Sequence, residues 1–243
     1  WLDNNNTHIN AHGGGMLIEN GTYYWFGEHK IEGNAGNYAH VGIHCYSSTD
    51  LYNWKDEGIV LSVDTVDEKS DIFIGNIIER PKVVFNKETN KYIMYFHLEL
   101  DDDYSSSLTG IAVSDTILGP YTYIHSLRPN AGYWPKNVKQ IHQSGIIPSI
   151  GKEYGGDWLP QHPDKLNLLG RDFEQGQMSR DMTLFIDDDD KAYHIYSSEE
   201  NSTLHIALLT DDYMAHTGEY IRVFINRYME APVVFKRDNK YYL

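Results

Sequence analysis

Acidic residues recur at matching places in a repeated pattern of this sequence, and they are the side chains best suited to chemistry. Counted back from a tyrosine that marks each repeat, they are Glu79, Asp181 and Glu230, and the matching position of the first repeat is His12. Like charges held close together push carboxyl pKa values apart, so that one group stays protonated while another stays ionised. Cleavage of a glycosidic bond needs such a pair, an acid for the leaving oxygen and a base for the attacking water. The alternative is that these acids are solvated at strand ends or paired with neighbouring arginines.

The repeats that carry these acids predict an all-β fold. Each consists of an apolar alternating run, a turn rich in Asn, Asp or Gly, and a second run with an aromatic marker, which is typical of two antiparallel strands. A third short strand is predicted over residues 41–47, 109–114 and 204–209, and a fourth over 54–60, 121–125 and 220–224. A cycle of four strands is typical of a β-propeller blade. The markers are Tyr23, Tyr92, Tyr193 and Tyr241.

A propeller explains why the acids repeat. The first strand of each blade lines the central channel, so equivalent positions of different blades are expected to converge near the axis. We interpret residues 1–243 as a single, partial catalytic domain whose sequence stops within the fourth blade. An insertion rich in Gly, Pro, Asn, Gln and His is predicted at about residues 130–176, either as a wall of a substrate cleft or as a surface excursion.

Composition narrows the classes of partner. The formal net charge of −15 opposes binding to nucleic acid, and no apolar run is long enough to insert in a membrane. A neutral glycan is compatible with that charge, and tyrosine and tryptophan side chains can stack on sugars. Cys45 is the only cysteine and is predicted to pack as a small apolar residue. The acids at Asp187–Asp190 are interpreted as a solvated turn, so neither a metal nor another cofactor is predicted.

At these motifs the sequence resembles glycoside hydrolase family 43, whose members are inverting glycosidases with a five-bladed propeller. The stretch from Ser179 to Tyr193 is similar to the third-blade motif, which implies that Asp181 modulates the acid and orients substrate, although Met182 replaces the usual proline. The stretch Met229-Glu-Ala-Pro-Val is similar to the fourth-blade motif, which implies that Glu230 is the general acid.

The first blade departs from the family pattern, because Asn10-Ala-His-Gly-Gly-Gly15 has no carboxylate where the general base is usual. This run, together with Glu79-Arg-Pro-Lys82, resembles the branch that contains exo-β-1,3-galactanases. The resemblance implies that Glu79 binds the terminal galactose, and Arg80, His12 and Asn10 are further candidates for substrate binding. His12 either contacts substrate, helps to hold a central water or ion, or is a structural histidine with satisfied hydrogen bonds. Gly13–Gly15 either allow a ligand to approach the backbone or pack the inner strands tightly.

The missing base leaves three hypotheses for how water attacks the sugar. Glu79 acts as the base, a residue beyond position 243 orients the water, or the protein is a catalytically inactive sugar-binding propeller. Loss of a base costs about 10² to 10⁴ in rate.

The sequence thus predicts an inverting exo-glycosidase that acts on plant-type polysaccharide or its oligosaccharides and releases terminal β-1,3-linked galactose. An α-L-arabinofuranosidase or a β-xylosidase is the alternative within the same class, and an inactive carbohydrate-binding propeller is the alternative outside it. A propeller that serves only as a protein scaffold is disfavoured by the repeated acids. A periplasmic or extracellular location is expected from the substrate class.

Overall fold

The computed structural model describes residues 1–33, 36–100, 104–140, 143 and 168–243. Most of the predicted insertion at about 130–176, from residue 144 to residue 167, lies outside the described residues. The chain divides into two compact units, Trp1–Ser126 and Leu127–Leu243. In the described part of the chain, no helix has the length and apolar character needed to cross a membrane.

The first unit contains two antiparallel sheets of four strands, each in sequence order. The first sheet consists of β1 (His12–Glu19), β2 (Thr22–His29), β3 (Gly42–Ser48) and β4 (Lys55–Ser62). The second sheet consists of β5 (Ile77–Asn86), β6 (Lys91–Glu99), β7 (Leu108–Ser114) and β8 (Thr122–Leu127), whose last residue falls at the unit boundary.

The second unit contains a third four-stranded sheet and a hairpin. After a single turn of helix, α1 (Leu168–Arg171), come β9 (Met182–Ile186), β10 (Ala192–Ser198), β11 (Thr203–Leu209) and β12 (His216–Val223). The hairpin pairs β13 (Phe235–Arg237) with β14 (Lys240–Tyr242).

The all-β prediction is confirmed, and the predicted third and fourth strands correspond to β3, β4, β7, β8, β11 and β12 with ends shifted by a few residues. The aromatic markers all lie on the second strand of their sheet or hairpin. They pair across the turn with the first strand, as Ile18 opposite Tyr23 and Phe85 opposite Tyr92 show. The alternation of apolar and polar residues therefore located the strands correctly.

The core of the first unit is formed mainly by the middle strands, of which β3, β6 and β7 are buried over most of their length. Phe26, Ile43, Met94 and Phe96 are fully buried in one apolar cluster. Cys45 belongs to the same cluster, which confirms that it packs as an apolar residue. Burial raises the pKa of its thiol, so the thiolate form is suppressed.

The first strand of each sheet in the first unit, β1 and β5, carries a β-bulge near its start. The pairing of β1 shifts register between His12 and Gly15, and that of β5 shifts between Glu79 and Lys82. A bulge turns side chains away from the regular alternation and is frequent beside functional sites. Pro81 lies inside the second bulge, where the ladder does not need its missing N–H group.

Candidate active site

The bulge in β1 makes room for a carboxylate that the sequence analysis did not single out. A β-carbon on Gly13 would overlap Oε1 of Glu28, the penultimate residue of β2. The backbone N–H of Arg80 donates to the same oxygen at 2.8 Å. Gly13 has φ +56° and Arg80 has φ +56°, so both bulges use the left-handed conformation to bring these groups together. A carboxylate from the second strand thus lies beside the place where the first strand lacks one.

The glycines that follow are also filled by protein atoms. A β-carbon on Gly14 would lie 2.7 Å from the carbonyl oxygen of Phe26, and one on Gly15 would lie 2.8 Å from that of Pro81. A β-carbon on any of Gly13–Gly15 would therefore meet protein atoms, which favours the interpretation that these glycines allow tight packing of the first strands.

Lys82 holds the two bulges together. Its ammonium lies 3.2–3.4 Å from four backbone carbonyl oxygens, those of Gly13, Gly14, Arg80 and Pro81. These carbonyls come from β1 and β5, the first strands of the two sheets. Their shared donor therefore ties β1 to β5 where Glu28 and Glu79 are presented.

Glu79 is held by a chain of polar side chains. The hydroxyl of Tyr104 donates to its Oε1 at 3.0 Å, and Nδ1 of His97 lies 3.2 Å from its Oε2. The other ring nitrogen of His97 lies 2.7 Å from Oε1 of buried Glu99. Because His97 is flanked by two carboxylates, its pKa is raised even though burial favours the neutral ring.

Glu28 and Glu79 have pKa values shifted in opposite directions. Burial raises the pKa of Glu28, with a smaller contribution from the charge of Glu79, against the opposing effects of Arg80 and Lys30. Burial also disfavours ionised Glu79, but the hydrogen bonds and charge of His97, with Tyr104, outweigh it and lower the pKa. Two carboxyl groups separated in this way can hold a proton on one and a charge on the other.

Asn10 is engaged with the chain that follows β2. Its Nδ2 donates to the carbonyl of Lys30 at 2.6 Å, and its Oδ1 accepts from the N–H of Lys30 at 2.9 Å. The ammonium of Lys30 lies 3.1 Å from Glu28 Oε2. Asn10 therefore positions Lys30, which partners Glu28. His12 is exposed and lies opposite Glu28 in the β1–β2 pairing.

The second unit brings Asp181 and Glu230 together. Oδ2 of Asp181 accepts a hydrogen bond from the N–H of Ala231, at 2.9 Å. On the other side of Glu230, the N–H of Met229 donates to the carbonyl of Asn201 at 2.9 Å, and the Ser197 hydroxyl donates to the Met229 carbonyl. Both residues that flank Glu230 are thus held.

The carboxylate of Glu230 itself contacts the loop between β10 and β11. Nδ2 of Asn201 donates to Oε1 of Glu230 at 2.9 Å. Glu199, Glu200 and Asn201 have φ values of +52°, +57° and +65°, a run of three left-handed residues without a glycine. Each costs about 1–2 kcal/mol outside glycine, so surrounding contacts must hold this turn.

Those contacts are ion pairs on both glutamates of the turn. Oε1 of buried Glu199 accepts from Nε of Arg222 at 2.6 Å and lies 2.8 Å from Nε2 of His205. Glu200 lies 3.2 Å from Arg180 and 2.9 Å from Arg171. Arg180 therefore forms its ion pair with Glu200, the middle residue of the turn.

Comparison with solved structures identifies the family. A GH43 β-1,3-galactosidase solved with galactodeoxynojirimycin is 48% identical over 99% of this chain, which covers 70% of that protein, with a TM-score of 0.89. The chain belongs to glycoside hydrolase family 43. An exo-β-1,3-galactanase from Clostridium thermocellum is 32% identical with a TM-score of 0.73. One from Phanerochaete chrysosporium, solved with β-1,3-galactotriose, is 28% identical with a TM-score of 0.72.

Each of these alignments includes 99% of this family 43 chain. The chain covers only 43% of the Clostridium protein and 44% of the Phanerochaete protein. No protein-family model matches the sequence. No curated protein matches it either.

In this family 43 chain, part of the acidic turn at Asp187–Asp190 forms ion pairs. Lys236 of the hairpin lies 2.6 Å from Asp187 and 2.7 Å from Asp188, and the hydroxyl of Tyr241 donates to Asp187. The prediction of a solvated turn is therefore wrong for Asp187, which ties the third sheet to the hairpin. Among the described residues, no group of His, Cys, Asp and Glu is arranged to hold a metal ion.

Sequence reasoning missed four residues of the candidate site in this family 43 chain: Glu28, His97, Tyr104 and Asn201. None occupies the repeated position from which the acids were read, because they lie on second strands or in loops. One signal was present for Glu28. Three consecutive glycines in a strand indicate that other groups approach closely, and a buried acid near the end of the paired strand was a candidate.

Proposed function

We propose that this protein is an inverting exo-glycoside hydrolase that releases terminal β-1,3-linked galactose from plant-type polysaccharide. The observation that supports the proposal is the hydrogen bond from the N–H of Ala231 to Oδ2 of Asp181, because Ala231 directly follows the acid candidate Glu230. The galactosidase and galactanase names of the family 43 relatives support the substrate.

In the proposed mechanism, Glu230 protonates the leaving glycosidic oxygen. Asp181 positions the backbone beside Glu230 through its hydrogen bond with the N–H of Ala231. Water attacks from the opposite face of the sugar, so the configuration at the anomeric carbon is inverted.

Glu79 is proposed as the ligand of the terminal galactose, with Arg80, His12 and Asn10 at the same edge of the first unit. The lowered pKa of Glu79 supports the ligand role over the base role, because a carboxylate that stays ionised accepts hydrogen bonds well but is a weak base. Glu28, with its raised pKa, is the second carboxylate available to bind substrate or orient water.

We further propose that the sheets are blades of a five-bladed propeller. Residues 1–243 then form a partial single domain with an insertion at about 130–176. A protein that degrades polysaccharide meets its substrate outside the cytoplasm, which supports a periplasmic or extracellular location.

The test is hydrolysis of β-1,3-galactan by the full-length protein and its Glu230→Gln variant. We expect the parent to release galactose that is first the α anomer by proton NMR, and the variant to lose about 10² to 10⁴ in kcat. Unchanged turnover in the variant would show that Glu230 is not the acid. A parent that binds galactan but cleaves neither it nor arabinosides and xylosides would be a binding protein instead.

A further inference from the structure

The left-handed turn of residues 199–201 has a shape that its own sequence does not favour. Neither Glu199 nor Glu200 is a residue type that commonly adopts this conformation, and three such residues in succession are rarer still. Strained backbone of this kind persists where its surroundings hold it, and it gathers at functional sites. The side chain that the turn presents is that of Asn201.

The side chains of Glu199 and Asn201 have different partners. Glu199 points into the unit and is buried against Arg222 and His205, which anchors the turn. Asn201 points to the carboxylate of Glu230, and its carbonyl also accepts from the N–H of Met229. The buried anchor Glu199 thus fixes Asn201, which holds the backbone of Met229 just before the acid and the side chain of Glu230 itself.

We propose that Asn201 is a positioning residue for the general acid, one that occupies Oε1 of Glu230 so that the transferable proton is carried on Oε2. This inference rests on the proposed role of Glu230. A carboxylic acid has one proton and two oxygens, and proton transfer needs that proton on the oxygen that faces the leaving group. An amide N–H on Oε1 favours the form in which Oε1 is the carbonyl oxygen.

The charged groups around Glu230 allow the effect of a carboxylate at position 201 to be predicted. Asp181 lies beside it through Ala231, while Glu200 lies next to Asn201 and is paired with Arg180 and Arg171. A new carboxylate at position 201 would directly face Glu230 without a cation of its own. It would raise the pKa of Glu230.

The test compares Asn201→Gly and Asn201→Asp with the parent on two substrates, β-1,3-galactan and an aryl β-galactoside with a strongly activated leaving group. Glycine adopts the left-handed conformation freely, so it removes the amide and keeps the turn. We expect Asn201→Gly to lose about 10- to 100-fold in kcat on galactan and less than threefold on the aryl substrate, which needs no protonation. We expect Asn201→Asp to move the alkaline limb of the kcat/KM profile to higher pH.

Equal losses on both substrates, or no loss on either, would overturn the positioning role, as would an unmoved pH profile in Asn201→Asp. Thermal unfolding of both variants identifies a folding defect, and Asn201→Asp keeps the volume of the side chain if glycine proves unstable. Glu230→Gln is measured in parallel. If it retains parental turnover on galactan, the acid assignment fails and the inference fails with it. If it is inactive and Asn201→Gly is not impaired, only the inference fails.

Discussion

The carboxylate of Glu28 occupies the space that a side chain on Gly13 would need. The strand that begins at His12 carries no acid at its start, and the acid beside that start comes from the neighbouring strand. The bulge, the glycine and the buried carboxylate therefore depend on one another. Because Gly13 has no side chain, there is room for the charged side chain of Glu28. This relationship can be tested at the glycine without touching the acid.

Replacement of Gly13 by alanine is expected to displace Glu28. The left-handed φ alone costs about 1–2 kcal/mol, and the overlap with Glu28 adds about 1–3 kcal/mol, as overpacking does. Gly21 is the matched control, because its φ is +77° and nothing lies within 4 Å of an added β-carbon. Urea unfolding should show a larger loss of stability in Gly13→Ala than in Gly21→Ala, and kcat/KM on galactan should fall only in the former. Equal losses of stability would mean that Glu28 yields without cost.

Glu79 is expected to contribute to binding rather than to turnover. The hydrogen bond and charge of His97, with the hydrogen bond from Tyr104, keep Glu79 ionised in spite of its burial. A hydrogen bond to a charged acceptor contributes about 1.5–3 kcal/mol. Glu79→Gln should therefore raise KM for galactan by about 10- to 100-fold and leave kcat within a few fold. Initial rates over a wide range of substrate concentration separate the two. A collapse of kcat at unchanged KM would instead identify Glu79 as the base.

The strands of this fold could be predicted from the sequence because their evidence is local. Alternation and Asn-Gly or Asp-rich turns repeat in each sheet, as at Asn20-Gly21, where two positive φ values close the β1–β2 hairpin. The proximity of Asp181 and Glu230 was expected from their matching places in the repeat, and the family motifs supplied the roles expected of them. In the structure the contact is made by the backbone N–H of Ala231, a group that every residue type except proline has, so the side chain at this position gives no signal of it.

The remaining site residues could not be predicted because their positions depend on contacts distant in sequence. Glu28 reaches its place through a bulge that involves Arg80, 52 residues away. Asn201 reaches Glu230 because Glu199 is anchored by Arg222, 23 residues away. A turn of non-glycine residues in the left-handed conformation leaves no local pattern in the sequence, since tertiary ion pairs impose it.

The final prediction concerns Glu199, the buried anchor of that turn, and its contribution to stability at different pH values. Glu199 is buried, and although burial opposes its ionisation, the charge of Arg222 and the hydrogen bond of His205 lower its pKa from 4.5 to about 2. A lowered carboxyl pKa stabilises the folded state fully above the unfolded value near 4.5, and this contribution is lost as the pH falls toward 2. Glu199→Gln leaves the Arg222 charge buried without its carboxylate, which should cost about 3–5 kcal/mol at pH 7.

Urea unfolding of the parent and of Glu199→Gln between pH 3 and pH 7 measures that contribution. The difference in the free energy of unfolding should be largest above pH 5 and should narrow as the pH falls below 4.5. Asp115→Asn is the matched control, because it removes a carboxylate whose ion pair with Lys91 is exposed, and surface pairs contribute little. A difference for Glu199→Gln that stays constant across this range would mean that the loss comes from packing rather than from the charge. In that case the left-handed turn that carries Asn201 would not depend on the ionised anchor.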